Sequence, residues 1–183
     1  MKKKTVTAVV LIVLSIVGCS TVQVSQDYDP KQDFSRFQTW QWREATQQAT
    51  GDVRIDNPLL DTRIRNAVET HLADRNFNHT ESTPEMLLSY HLVIERRIYT
   101  DTYYSSIGAG AYYSPWFWDT GVETRIYQYD QSRLTIDIHA AESDALLWRG
   151  EGLYLLKTFK TPKEAEEAMQ KTVDKILGQF PPQ

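Results

Sequence analysis

Met86-Leu87-Leu88-Ser89-Tyr90-His91-Leu92-Val93-Ile94-Glu95-Arg96-Arg97-Ile98 is the stretch that decides the fold class. Successive side chains of an extended chain point to opposite faces, so a strand with one buried face alternates apolar and polar residues. Leu88, Tyr90, Leu92 and Ile94 share one parity here; Ser89, His91, Glu95 and Arg97 share the other. Helical geometry would scatter the same residues around a cylinder. A long, half-buried strand is therefore expected after the Thr83-Pro84 boundary.

Three further strands are expected downstream: Val122 to Tyr129, Arg133 to Ala140, and Leu146 to Leu156. The links at Asp130-Gln131-Ser132 and Glu142-Ser143-Asp144 are short enough for hairpins, which predicts an antiparallel meander. Pairing Ile138 with Trp148 and Ile126 with Ile136 keeps the apolar residues on one face. That register lines up Arg125, Asp137 and Arg149 across three strands on the other face, with Glu123 opposite His139. Two readings fit the row: a solvated ion-pair ladder, worth little per pair, or a charged floor for a ligand or partner.

Upstream, Val22 to Tyr28 begins with strand-like alternation, Asp29-Pro30 marks a turn, and Phe37 to Trp42 is a second strand heavy in aromatic residues. Arg43 to Asp56 is polar and reads as a loop. Asn57-Pro58 opens a helix, with Asn as cap and Pro at the first helical position. Leu60, Ile64, Ala67, Val68, His71 and Leu72 fall on one face of it, and Asn76 suits the left-handed turn that ends it. Thr161-Pro162-Lys163-Glu164 starts the last helix as a capping box. Ala165, Met169, Thr172, Val173, Ile176 and Phe180 trace its inward face, and Gly178 with Pro181-Pro182 stops it. Two helices among hairpin-connected strands predict an α+β fold, a mainly antiparallel sheet with both helices packed on one face.

The N-terminus reads as an address. Lys2, Lys3 and Lys4 precede an apolar run from Val6 to Val17 broken only by Thr7 and Ser15. The run is shorter than the roughly 20 residues of a membrane-spanning helix and has the form of a signal peptide. It ends in Ile16-Val17-Gly18-Cys19-Ser20, where the chain's only cysteine stands where a bacterial lipobox requires its nucleophile. The expectation is a signal peptide over 1–18, a lipidated Cys19 with a short tether over 19–21, and one domain over 22–183. Ser20, not Asp, follows the cysteine, which favours the outer membrane, facing the periplasm. Cleavage would remove three of the 20 basic residues and none of the 24 acidic ones, for a net charge near −7. Such a domain repels phosphate backbones, which argues against nucleic acid. With Cys19 acylated, no disulfide is available.

The segment from Tyr99 to Trp118 has the most unusual composition. Tyr99, Tyr103, Tyr104, Tyr112, Tyr113, Trp116, Phe117 and Trp118 alternate with Ser105, Ser106, Gly108, Gly110 and Pro115. Either the loop folds back and buries its rings, or it is a contact surface for an envelope protein, a glycan ring or the lipid interface. Tyr and Trp suit the second use because each has an apolar body and a polar edge. The candidate contact residues are Tyr103, Tyr104, Tyr112, Tyr113, Trp116, Phe117 and Trp118.

Catalytic signatures are missing. His71, His79, His91 and His139 show no i+3 or i+4 pairing, so no metal set can be assigned. There is no G-x-S-x-G elbow or phosphate-binding glycine loop. A non-catalytic interaction domain is therefore expected, without cofactor. A cell-wall glycan or small-ligand binder is the alternative, and a periplasmic hydrolase the more remote one; the latter would need a cleft with converging carboxylates or histidines.

Several segments together are similar to one family. Asp27-Tyr28-Asp29-Pro30 with Asp33-Phe34-Ser35, Thr39-Trp40-Gln41-Trp42, and Asn57-Pro58-Leu59-Leu60-Asp61 with Arg63-Ile64-Arg65 come first. Ser89-Tyr90-His91, Leu134-Thr135-Ile136-Asp137-Ile138, Leu147-Trp148-Arg149-Gly150 and Phe180-Pro181-Pro182 follow in order. The series resembles the bacterial lipoproteins of domain-of-unknown-function family 4136. The resemblance implies a periplasm-facing α+β lipoprotein domain and brings no activity or catalytic residues.

Overall fold

The computed structural model describes residues 22–43, 49–105, 121–155 and 158–182, with the backbone alone for 103–105, 121–123 and 155. Six strands and two helices follow one another as β1 (Gln23–Tyr28), β2 (Thr39–Trp42), α1 (Pro58–Asp74), β3 (Asn78–His79), β4 (Met86–Ser105), β5 (Gly121–Ala140), β6 (Leu146–Leu155) and α2 (Pro162–Leu177). The strands form one sheet in the order β1-β6-β5-β4-β2-β3. β1, β6, β5 and β4 pair antiparallel; β2 runs parallel to both β3 and β4. The fold is α+β, with a mixed, mostly antiparallel sheet.

The parity read in the sequence is the parity of the sheet. Met86, Leu88, Tyr90 and Leu92 of β4 are buried, as are Leu134, Ile136 and Ile138 of β5 and Trp148 of β6. Facing them are Ile64, Ala67, Val68 and Leu72 of α1 and Met169, Thr172, Val173, Ile176 and Leu177 of α2. Fully burying one such Leu or Ile side chain stabilises the fold by roughly 1.5–3 kcal/mol. Phe34, Phe37, Trp40 and Phe180 close the core at one margin, with Phe34 meeting Phe180 edge to face at 5.8 Å between centroids.

Both helix starts follow from their caps. The Asn57 side chain accepts a hydrogen bond from Leu59 N, and that of Thr161 accepts one from Glu164 N. The Glu164 carboxylate reaches back to Lys160 N rather than to the cap itself. Asn76 has φ 65°, the left-handed turn expected after α1.

The expected meander needs one correction. Residues 122–129 and 133–140 are not two strands joined by a hairpin at Asp130-Gln131-Ser132; they are one continuous strand, β5. Its partner over its full length is β4, which runs past Ile98 to Ser105. Asp130, Gln131 and Ser132 contain no glycine or proline and pair with Arg96, Glu95 and Ile94. β4 and β5 instead stay paired as far as Ser105 and Gly121. The predicted Ile138–Trp148 pairing is present. Ile126 pairs with Thr100 and not with Ile136, and Glu123 pairs with Tyr103 and not with His139. β3, two residues long, was not expected.

Because β6 ends at Leu155 opposite Gln131, the last ten residue pairs of β4 and β5 leave the body as a two-stranded arm. At about 3.4 Å per residue the arm is about 34 Å long.

Candidate functional site

The charged outer face of the sheet continues directly into the arm. On the outer face, Asp137 and Arg149 stand opposite one another across β5 and β6. The guanidinium donates twice to the carboxylate, Nε to Oδ1 at 2.6 Å and NH2 to Oδ2 at 2.7 Å. Asp137 is 3% exposed, whereas the Arg149 side chain is 44% exposed. The acid is therefore not part of a simple solvated ladder. It lies beneath its partner, which holds the guanidinium above the usual arginine range through that hydrogen bond. Ser89, opposite Asp137 on β4, is buried beside it.

Arg125 does not join this pair. It sits twelve residues before Asp137 on the same strand, opposite Asp101, near the far end of the arm. The predicted three-residue row thus resolves into one real pair and one distant residue, because the hairpin that would have stacked them does not exist.

Ion pairs gird the base of the arm on both faces. On the outer face Glu95 binds Arg97 at 2.7 Å and Arg133 at 3.1 Å, and Arg133 binds Glu151 at 3.2 Å. On the helix face Asp130 receives Arg54 at 2.6 Å and Arg96 at 3.6 Å. Arg54 belongs to the described part of the polar loop, which is braced internally. Asp52 binds Arg54 at 2.6 Å, and Asp56 accepts from Thr50 N and Gly51 N. These contacts hold the Asp52 carboxyl down at about 2 and keep those of Asp56 and Asp130 below the usual range.

Beyond this girdle the arm exposes apolar side chains on both faces. Ile98 and Ile126 are 68% and 69% exposed on the helix side. Tyr99, Tyr127 and Tyr129 are exposed on the outer side, with Tyr99 directly opposite Tyr127. The sequence pointed to Tyr103 and Tyr104, which lie at the paired end of β4 opposite Glu123 and Val122. Tyr112, Tyr113, Trp116, Phe117 and Trp118 lie outside the described residues, as does Cys19. Ile98, Ile126, Tyr127 and Tyr129 were missed as candidates. Exposed Tyr and Ile at strand spacing look the same in sequence as a half-buried strand.

A third polar cluster links α1 to the sheet. The buried Tyr90 hydroxyl donates to Asp61 Oδ1, Arg65 pairs with Asp61 at 3.1 Å, and its guanidinium stacks 4.6 Å from the Trp42 ring centroid. Trp42 Nε1 in turn donates to Glu69 at 2.9 Å. Every member has a structural partner, so the cluster fastens α1 to β2 and β4.

The histidines stay apart. His71 binds Asp174 at 2.8 Å between the helices, His79 packs on Trp40, His139 Nδ1 lies 3.2 Å from the Asp144 carbonyl, and His91 is exposed. Among the described residues no group of three or more His, Cys, Asp or Glu is arranged to hold a metal ion. An open groove between α1 and α2 is lined by Arg63, Asn66, Ala67, Thr70, Glu166 and Gln170. Glu166 is its one carboxylate and it has no histidine, so the converging pair that hydrolysis requires is not found there. No helix among the described residues is long and apolar enough to cross a membrane.

Comparison with known proteins gives the fold and a family but no activity. A crystal structure of a PDZ domain protein from Parabacteroides distasonis ATCC 8503 is similar over 88% of this chain, with a TM-score of 0.55 and 14% identity. This chain spans only 36% of that one. Two PelC dodecamer structures from Paraburkholderia phytofirmans match 86% of this chain and 95% and 96% of theirs, at TM-scores of 0.46 and 0.48 and identities of 10% and 11%. No curated protein matches the chain. The model of the family described as Domain of unknown function (DUF4136) matches residues 24–182, from the second residue of β1 to the Pro181-Pro182 end, and the chain belongs to that family.

Proposed function

We propose that this protein is an envelope lipoprotein, anchored through Cys19 to the periplasmic face of the outer membrane, whose single domain is a non-catalytic interaction module. Its interaction element is the β4–β5 arm. The carrying observation is the exposure of Ile98, Tyr99, Ile126, Tyr127 and Tyr129 on a ribbon none of whose described side chains joins the core. Apolar and aromatic residues gathered on a projecting element mark a contact surface more often than scattered single ones do. The signal-like run of residues 6–17 ending at Cys19 supports the anchor, because two or more acyl chains hold a protein stably on a membrane.

Two measurements test the two halves of this reading. Cys19→Ser should move the protein from the membrane to the soluble fraction of the envelope; unchanged sedimentation with membranes would refute the anchor. A photo-crosslinking amino acid at Tyr127 should form adducts in the intact envelope, while the same probe at the exposed Glu81, at the opposite end of the sheet, should not. Equal labelling at the two positions would refute the arm as the interaction element.

A further inference from the structure

The start of β1 and the arm lie at the same end of the sheet. β1 sets Gln23 opposite Leu153, β6 sets Leu153 opposite Arg133, and β5 sets Arg133 opposite Val93. Gln23 therefore stands level with Val93, just before β4 runs out into the arm. β1 therefore starts at the arm's end of the sheet and runs away from it to Tyr28.

The lengths then constrain the domain's orientation. Cys19 lies four residues before Gln23, a reach of at most about 14 Å. From the level of Val93 to Ser105 the arm's strand advances about 40 Å. Its far end thus extends at least about 26 Å beyond the farthest position Cys19 attains in that direction. Turning the domain over, with the arm pointing away from the membrane, would put the length of β1 between Gln23 and the bilayer. From Gln23 to Tyr28 that is about 17 Å, more than the tether spans. A cysteine held at the surface therefore leaves the arm running into the head groups or along them.

On this basis, and resting on the Cys19 anchor proposed above, we propose that the arm's partner is the lipid bilayer itself. The ribbon beyond Glu95 and Gln131 settles into the head-group layer of the membrane that holds Cys19. Its chemistry suits that layer. Tyrosine collects at membrane interfaces because its ring is apolar and its hydroxyl is not. Exposed apolar residues occupy both faces of the ribbon, Tyr99, Tyr127 and Tyr129 on one and Ile98 and Ile126 on the other. A docked protein would cover one face; a head-group layer surrounds both. Charges keep the arm out of the hydrocarbon, because Arg96, Asp101, Arg125 and Asp130 would each be costly there. From residue 95 to 105 and 121 to 131 the arm has three arginines against four carboxylates, so most of the domain's negative charge lies elsewhere. Binding then depends on the aromatic and apolar side chains more than on anionic lipid.

The experiment uses the full lipidated chain. Since Cys19 is the only cysteine and is acylated, a polarity-sensitive fluorophore can be placed uniquely at Ile98→Cys, at Tyr127→Cys or, as control, at Glu81→Cys. Each protein is reconstituted into vesicles of phosphatidylethanolamine and phosphatidylcholine, with and without a quenching doxyl lipid. Both arm positions should be about threefold or more less accessible to aqueous iodide than the Glu81 position, and both should be quenched by the doxyl lipid. Arm probes as open to iodide as the control, on protein that floats with the vesicles, would leave the anchor standing and overturn the bilayer as partner. Protein that fails to float would overturn the anchor and this inference with it. Protection of one arm position alone, and only after solubilised envelope proteins are added, would overturn the inference in favour of a protein partner.

Discussion

Asp137 and Arg149 form a pair whose two members are unequally placed. The carboxylate is buried at 3% exposure, while the guanidinium side chain keeps 44% of its surface in solvent. Removing the arginine strands a desolvated charge, whereas removing the acid frees the arginine to turn to water. Arg149→Met is therefore expected to lower stability by about 3 kcal/mol and Asp137→Ala by only about 1–2 kcal/mol, measured by urea denaturation at pH 7. Equal costs would mean that Asp137 is hydrated when its partner is absent. The sequence carried half of this pair's story. The Ile138–Trp148 register follows from the alternation on the two strands, and it places Asp137 against Arg149 without further information. The burial of Asp137 does not follow, because nothing in a polar parity distinguishes a residue covered by its neighbour's side chain from one in open water.

The elements were legible where local chemistry speaks and obscure where strand pairing is a matter of length. Asn57-Pro58 and Thr161-Pro162 announce both helices because a cap acts within three residues. The single long β5 was hidden, since a three-residue polar stretch serves equally as a hairpin turn or as the base of an arm, where Ser132 is buried. Deciding between them requires knowing that β4 is long enough to pair with all of β5, a non-local fact. The same is true of how closely α2 lies on β6. A Cβ added at Gly150 would meet Ile176 Cγ2 at 2.8 Å and the Trp148 ring, and one at Gly152 would meet Ile176 Cδ1 at 2.7 Å. These glycines are a flat track on which the helix rests. Gly150→Ala should push α2 outward and cost about 1–3 kcal/mol, a fall of roughly 2–10 °C in melting temperature for a domain of this size. An unchanged melting temperature would show that the Trp148 ring and Ile176 can both shift without loss. Shortening the arm is the contrasting case. Joining Arg96 to Asp130 through Asn-Gly removes no described residue of the core and should leave the melting temperature within about 3 °C, because surface changes rarely matter to stability.

Across the whole molecule, stability is tied to pH at both ends of the scale by groups from different layers. At the acid end Asp52, Asp56, Glu85 and Asp130 have carboxyls held below their ordinary range, Glu85 through the backbone N–H groups of Gln38 and Thr39. Their contribution is complete above the ordinary carboxylate range and is lost as pH falls through the lowered values, down to about 2 at Asp52. At the alkaline end the effect comes from the core. Burial, and then the hydrogen bond to Asp61, raises the Tyr90 phenol well above its ordinary value, and burial pushes that of Tyr154 up to about 12. The unfolded chain gives up both protons near pH 10, whereas the folded protein still holds them. Above pH 10 folding therefore requires proton uptake; the stability the Tyr154 phenol contributes is full below about pH 10 and lost progressively up to about 12, and that of Tyr90 is lost over a range that extends higher. Each pH unit of this difference is worth about 1.4 kcal/mol, so Tyr154 alone accounts for at most about 2–3 kcal/mol. Urea midpoints followed from pH 8 to pH 11.5 should consequently fall more steeply for the native protein than for Tyr154→Phe, with Tyr90→Phe displaced in the same direction. Parallel curves for the native protein and Tyr154→Phe would show that the Tyr154 phenol ionises in place, and the core beneath β6 would then have to admit water.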